Sequence, residues 1–320
     1  MTMLARCTEA IALALGCVGA DASAAQSYPV CPIRVIVPSQ AGGGADIVAR
    51  AIAAKMSEAW REQVVVDNRI GVVGEEIAAK AQADGHTLLF TTSSLAIRES
   101  VFSNLPYNTL RDFVPVSQAV MQPNLLVTHP SVPAKTVSEQ VALARAKPGE
   151  FNYGSGGAAT SNHLAGELFR LLARVRVVHV PYKGVPAALT DTIAGRMHFA
   201  FGSPVSTLQH VKDHRLRLIA VITAQRISSL TEVPAIAESL PGYEFTGWMS
   251  LLAPAGTPHA AIERLHAEVS RIVYLQDVRQ RFLADAAEPV GSSPEAFRAF
   301  LSNEISRWSR VAREADIRAE

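Results

Sequence analysis

Residues 33–50 read Ile33-Arg34-Val35-Ile36-Val37-Pro38-Ser39-Gln40-Ala41-Gly42-Gly43-Gly44-Ala45-Asp46-Ile47-Val48-Ala49-Arg50. The opening β-branched apolar run has the composition of a buried strand, and Pro38 ends it. Three glycines then let the backbone turn sharply and present its N–H groups. From about Asp46 the residues Ile47, Ala51, Ala54 and Met56 recur at helical spacing. A strand, a glycine loop and a helix start in that order make an anion site, because unpaired N–H groups and the positive end of the helix dipole meet there. The same residues also suit a turn that only joins strand to helix.

A second stretch repeats the plan. Phe151-Asn152-Tyr153 leads into Gly154-Ser155-Gly156-Gly157-Ala158-Ala159-Thr160-Ser161-Asn162-His163, and Leu164, Leu168, Leu171 and Leu172 follow at helical spacing. Ser155, Thr160 and Ser161 are able to cap that helix and to bind an anion. Two such units suggest two domains facing one cleft, each aiming a helix start at the same ligand. His163 in the first turn either touches that ligand or serves local hydrogen bonding.

Between and beyond these stretches, strands and helices alternate, which predicts α/β domains with parallel sheets. Strands are expected at Gln63–Asp67, Thr87–Phe90, Leu125–Pro130, Arg176–Pro181, Met197–Phe201 and Arg217–Thr223. Residues 68–74 read as a loop, and Glu75–Ala83 as a short helix. The hydroxyl cluster Thr91-Thr92-Ser93-Ser94 lies just past a strand end, where open α/β sheets bind ligands. Prolines 234, 241, 254 and 258 break the pattern over 226–258, which reads as chain returning to the first domain. Helices are expected at Val137–Ala146, Ala187–Ala194, Ala260–Val273 and Pro294–Ala315, with Trp308 packed on the sheet.

Composition narrows the function. Of the 320 residues 48% are hydrophobic and 18% charged, enough for a well-packed core, and the formal charge of +1 argues against nucleic acid as a partner. The first two dozen residues carry Arg6, an apolar run from Ile11 to Gly19 and the small-x-small motif Ala22-Ser23-Ala24. That pattern reads as a secretory signal peptide cleaved near Ala24. Leu15-Gly16-Cys17 hints at a lipoprotein box, but Ala14 replaces a larger aliphatic residue, so plain cleavage ranks first. Cleavage would leave Cys31 as the one cysteine, which excludes an internal disulfide.

Catalytic and cofactor signatures are weak. Gly42-x-Gly44 with Val66-Asp67 ending the next strand imitates a dinucleotide fingerprint, but Ile47 occupies the third glycine position and would crowd the helix against the strand. No G-x-S-x-G elbow is present. His210 and His214 share helical spacing without an H-E-x-x-H motif and read as a solvated helix end. The residues therefore predict binding loops, no cofactor, no metal and no catalytic group. A cytosolic α/β enzyme with a nucleotide or anion site is the alternative, and the ligand-sensing half of a transcription factor a third reading.

The ordered series of motifs resembles one family. It comprises Pro32–Pro38, Gly42-Gly43-Gly44-Ala45-Asp46, Asp67-Asn68-Arg69, Asp84–Leu89, Leu105-Pro106-Tyr107, Arg111-Asp112-Phe113, His129–Lys135, Asn152–Gly156, Asn162–Glu167, Val180–Gly184 and Leu252–Pro258. The chain from about Tyr28 to the last helix is similar to the Bug-type (TctC-like) solute-binding receptors of tripartite tricarboxylate transporters. The resemblance implies a two-domain periplasmic-binding-protein fold of type II, a Venus flytrap with two crossover strands. The domains would be 25–123 plus 226–320, and 124–225. It implies a monomeric periplasmic receptor that captures a small organic carboxylate and delivers it to membrane transporter subunits or a sensor.

The ligand would be held by the loops Gly42–Asp46, Thr92-Ser93, Ser155–Ser161 and Tyr182-Lys183-Gly184, largely through backbone N–H groups and ordered waters. That gives Gly42, Gly43, Gly44, Asp46, Thr92, Ser93, Ser155, Gly156, Thr160, Ser161, His163, Tyr182, Lys183, Gly184 and Ser203 as candidate ligand-binding residues. Several positions depart from the family pattern. Ser39 stands where phenylalanine is usual, Val73 replaces a glycine in a shortened loop, and Arg98-Glu99 replaces Asn-Pro. Gly202-Ser203 replaces an acidic or amide pair, which disfavours an amino group on the ligand. Arg98 is expected either as a solvated helix charge or as a second cation facing the cleft beside Lys183.

Overall fold

The computed structural model describes residues 28–284, 286–314 and 317. The expected signal segment lies outside the described residues. The chain begins with β1 (Ile33–Val37), α1 (Gly44–Trp60), β2 (Val64–Asn68), α2 (Val72–Ala79), β3 (Thr87–Thr92), α3 (Ser94–Val101), α4 (Thr109–Asp112) and β4 (Phe113–Pro123). It crosses at Asn124 into β5 (Leu125–Thr128), α5 (Val137–Ala146), β6 (Asn152–Ser155), α6 (Ser161–Ala173), β7 (Val178–Pro181), α7 (Val185–Ile193), β8 (Phe199–Gly202), α8 (Pro204–Lys212) and β9 (Arg217–Val221). It returns to β10 (Thr246–Pro254), α9 (His259–Val273), α10 (Gln276–Ala284), β11 (Glu288–Pro289) and α11 (Pro294–Glu314).

Two sheets result, ordered β11-β4-β10-β3-β1-β2 and β7-β6-β8-β5-β9. Both repeat one plan, in which a strand delivered from the other sheet runs antiparallel between parallel neighbours and a final strand. β10 is antiparallel to β3 and β4, and β5 is antiparallel to β8 and β9. The expected purely parallel sheets are therefore mixed ones. Each crossing strand enters from the far lobe, so it meets its neighbours head to tail.

The elements form where the apolar spacing dictates. α1 buries Ala45, Val48, Ala49, Ile52, Ala53 and Met56 against the sheet, and Arg61 caps its end at φ 57°. β3 runs through the sheet centre with Leu88, Leu89 and Phe90 buried. In place of the expected loop through residue 74, α2 starts at Val72, after Gly71 at φ 72°. Trp308 on α11 is buried and lies 4.8 Å from the Phe245 ring, as its helical position predicts.

The two connections between the sheets run side by side. Ile222 N–H donates to the Asn124 carbonyl at 3.0 Å, and Phe245 N–H to the Ile222 carbonyl at 2.9 Å. Gly247 then pairs with Gln122 across β10 and β4. The crossing lies at Asn124, just before β5, where the strand Leu125–Pro130 was expected to leave the first domain.

Candidate functional site

A cavity of about 310 Å³ lies between the sheets. Its wall is built from the loops that follow strand C-termini, because there each chain turns from strand into helix. Gly43, Gly44 and Ala45 bring the start of α1, and Ser93 and Ser94 that of α3. From the second sheet come Thr160, Ser161 and Asn162 at α6, Gly184, Val185 and Pro186 at α7, and Ser203 at α8. Helix N-termini from both lobes thus converge on one volume, each with N–H groups that the helix itself leaves unpaired.

The loops are held in shape by side chains set behind them. Asp46 is almost fully buried and accepts from Gly42 N–H at 2.9 Å, Asn68 Nδ2 at 3.0 Å and Arg50 Nε at 3.0 Å. Burial pushes its carboxyl up, but the bonds from Arg50, Gly42 and Asn68 outweigh that and hold it below the usual carboxylate range. Gly42, at φ 77°, needs glycine for this turn. Ser155 is fully buried, its hydroxyl 2.6 Å from His179 Nε2 and accepting from Gly157 N–H at 3.1 Å. His163 stacks on His179 with ring centroids 4.0 Å apart, and its Nδ1 accepts from Ala159 N–H at 3.1 Å. Burial lowers both imidazoles, His179 to about 3 with a further push from His163.

Of the expected residues, Gly43, Gly44, Thr92, Ser93, Gly156, Thr160, Ser161, Tyr182, Lys183, Gly184 and Ser203 line the cavity. Gly42, Asp46, Ser155 and His163 sit behind that wall and shape it. Tyr182 contributes from a fixed position, since its hydroxyl donates to Asp191 at 2.7 Å. Sequence reasoning missed Gln40, Gln122, Asn124, Trp248 and Met249. Four of these lie on β4, the crossing and β10, whose signals the prolines and glutamines obscure. Ser39 Oγ and Gln40 Oε1 are buried on the cavity wall without a partner among the described residues, as polar atoms are where a ligand completes the bonding.

The lobes touch across the cavity. Ser161 N–H, on the second lobe, donates to Ser94 Oγ, on the first, at 3.1 Å. A Cβ on Gly44 would overlap Ser203 Oγ, and one on Gly184, at φ 152°, would overlap the Gln40 side chain. The cleft is therefore in a closed form.

Electrostatics favour an anion. Lys183 and Arg98 line the cavity, and no aspartate or glutamate is among its described lining residues. Arg98 is not the solvated helix charge of the first alternative; it lines the cavity with Lys183, as the second had it. It is buried and ion-paired to Glu75 on α2, which also accepts from Tyr107 Oη at 2.6 Å. No group of three or more histidine, cysteine, aspartate or glutamate residues suited to a metal occurs among the described residues.

Comparison with known proteins agrees with this geometry. The profile of the tripartite tricarboxylate transporter family receptor, TctC, matches residues 48–317. A UPF0065 protein in the tcbD-tcbE intergenic region of Pseudomonas sp. strain P51 is 36% identical over 96% of this chain and 93% of its own length. Among solved structures, R. palustris Rpa4515 with adipate superposes at a TM-score of 0.87, with 34% identity over 91% of this chain and 99% of that one. The periplasmic binding protein BugD superposes at 0.88, with 25% identity over 92% and 100%.

Proposed function

This chain belongs to the tripartite tricarboxylate transporter receptor family, and from that premise we propose that its interdomain cavity captures a small organic carboxylate for delivery to membrane subunits of such a transporter. The protein is a solute-binding receptor of a periplasmic family, not an enzyme. The observation that carries the ligand class is the convergence of helix starts from both lobes on a cavity lined by Lys183 and by no described carboxylate. Such a site stabilises a negative charge without needing a matching cation at every contact. The adipate held by the R. palustris relative supports the same class.

In this reading Gly43, Gly44, Thr92, Ser93, Gly156, Thr160, Ser161, Tyr182, Lys183, Gly184 and Ser203 touch the ligand. Gly42, Asp46, Ser155 and His163 hold those contacts in place. The lobes are 25–123 with 226–320, and 124–225, and the receptor works as a monomer exported by cleavage near Ala24. Thermal melting against a panel of carboxylates, sugars, amines and nucleotides tests this. Ligand at a hundredfold excess over its Kd should add about 2.7 kcal/mol to stability. Shifts from sugars or nucleotides, and none from acids, would overturn the carboxylate assignment.

A further inference from the structure

Charge is divided unequally between the lobes. Residues 124–225, which build the second sheet, hold eleven lysines and arginines against five aspartates and glutamates. The rest of the chain from residue 25 holds eighteen against twenty-two. A nearly neutral whole is thus a basic lobe joined to an acidic one, and each lobe presents its own field to a partner.

The strongest basic cluster lies at the end of the second lobe remote from the cleft. α6 starts on the cavity wall, and its 13 residues carry the chain about 20 Å away from it. Arg174 caps that far end, and Arg176 follows. Arg145, in the last turn of α5, donates to the Ala173 carbonyl at 2.9 Å. Gly149 N–H, just past Lys147, donates to the Arg176 carbonyl at 2.8 Å. These bonds tie the segments bearing four exposed cations into one patch. Glu150 offsets Lys147 at 3.6 Å, but Arg145, Arg174 and Arg176 form no ion pair among the described residues. Leu172 and Val178, 38% and 43% exposed, flank the two arginines in sequence.

Helix ends alone do not explain the excess. A cation in the last turn suits the helix dipole in either lobe. α9, α10 and α11 of the other lobe also end with Arg271, Arg281 and Arg313, yet that lobe is acidic. Unpaired cations set beside exposed aliphatic side chains match anionic headgroups above an acyl layer. Each cation adds to the attraction there, and the aliphatic groups enter the interface.

We propose that this end of the second lobe is an interaction surface for an anionic lipid bilayer, which holds the receptor at the membrane with its acidic lobe turned away. The surface lies on a face that the cavity does not reach, so it is independent of which ligand the cavity takes.

Co-sedimentation of the exported receptor with vesicles tests it. Phosphatidylcholine vesicles with about 30% phosphatidylglycerol are compared with phosphatidylcholine alone. Binding should be confined to the acidic vesicles and should fall about tenfold or more between roughly 50 and 300 mM salt. Arg174→Glu with Arg176→Glu should weaken it about tenfold or more, and so should Lys147→Glu with Arg176→Glu, which spares the α6 cap. Arg279→Glu with Arg281→Glu makes the same change in net charge on α10 of the other lobe and should leave binding within about twofold. Urea unfolding midpoints confirm that each variant is folded. No binding to acidic vesicles at low salt, or an equal loss from the α10 pair, would overturn the proposal. Capture by soluble polyglutamate in preference to acidic vesicles would also overturn it, and would turn the patch toward an acidic protein.

Discussion

Asp46 shows how a residue set behind the cavity wall can shape a site. Its carboxylate gathers Gly42, Asn68 and Arg50 at 2.9–3.0 Å and so fixes the glycine loop. Its acidity is strengthened by folding, so it stabilises the native state above the unfolded value near 4, and the contribution fades as pH falls through the lower folded value. Asp46→Asn should therefore cost about 1–2 kcal/mol at pH 7 and progressively less toward pH 3, read by urea unfolding at both. His179 works in the opposite sense. Folding holds it neutral down to about 3, whereas the unfolded chain takes up its proton near 6.5, so stability drains away as pH drops across that window. His179→Gln should shrink the fall in melting temperature between pH 7.5 and pH 5; an undiminished fall would show that other groups carry it. At this scale the sequence was only partly legible. The hydroxyls and glycines were visible because their chemistry is local. The fate of Arg98 was not, because its partner Glu75 lies 23 residues away on another helix.

Among the elements, the strand–glycine–helix units were legible at first reading, since the change from β-branched run to helical spacing falls within a dozen residues. Helix α5 was placed residue for residue, between the Thr136 cap and the Pro148-Gly149 stop. β4 and β10 were not seen. β4 contains Pro115, Ser117, Gln118, Gln122 and Pro123, and β10 ends at Pro254, so neither resembles an apolar strand. They are strands because sheet neighbours on both sides satisfy them, which local sequence does not express. The helix starts make a mechanical prediction. Gly44→Ala would put a methyl group into Ser203 of the facing lobe and against the flexible end of Met249 in its own. It should weaken ligand binding about tenfold or more while the midpoint of urea unfolding without ligand stays put. Gly156→Val crowds Val185 in the same way, at 3.2 Å, within the second lobe. Normal affinity in both variants would place the anion elsewhere.

At the scale of the whole molecule, two lobes share a double connection whose strands are hydrogen-bonded to each other through Asn124, Ile222 and Phe245. Two adjacent, mutually bonded connections suit closure by bending about one line, and the Ser161–Ser94 hydrogen bond joins the lobes in the form seen here. The proposed export predicts that amino-terminal sequencing of periplasmic protein starts near Ala25 or Gln26; an intact terminus in the cytosol would contradict it. The floor of the cleft holds one more consequence. The three tryptophans are Trp60, Trp248 and Trp308, and the indole N–H groups of the last two converge on the Glu304 carboxylate at 3.0 and 3.1 Å. Trp248 also forms part of the cavity wall, whereas Trp60 packs by Tyr28 at the far end of α1. A charge seated against one member of this pair perturbs the electric field on both rings. The receptor therefore carries its own dye, with ligand capture written as a shift in ultraviolet emission that Trp248→Phe should dim and Trp60→Phe should leave intact.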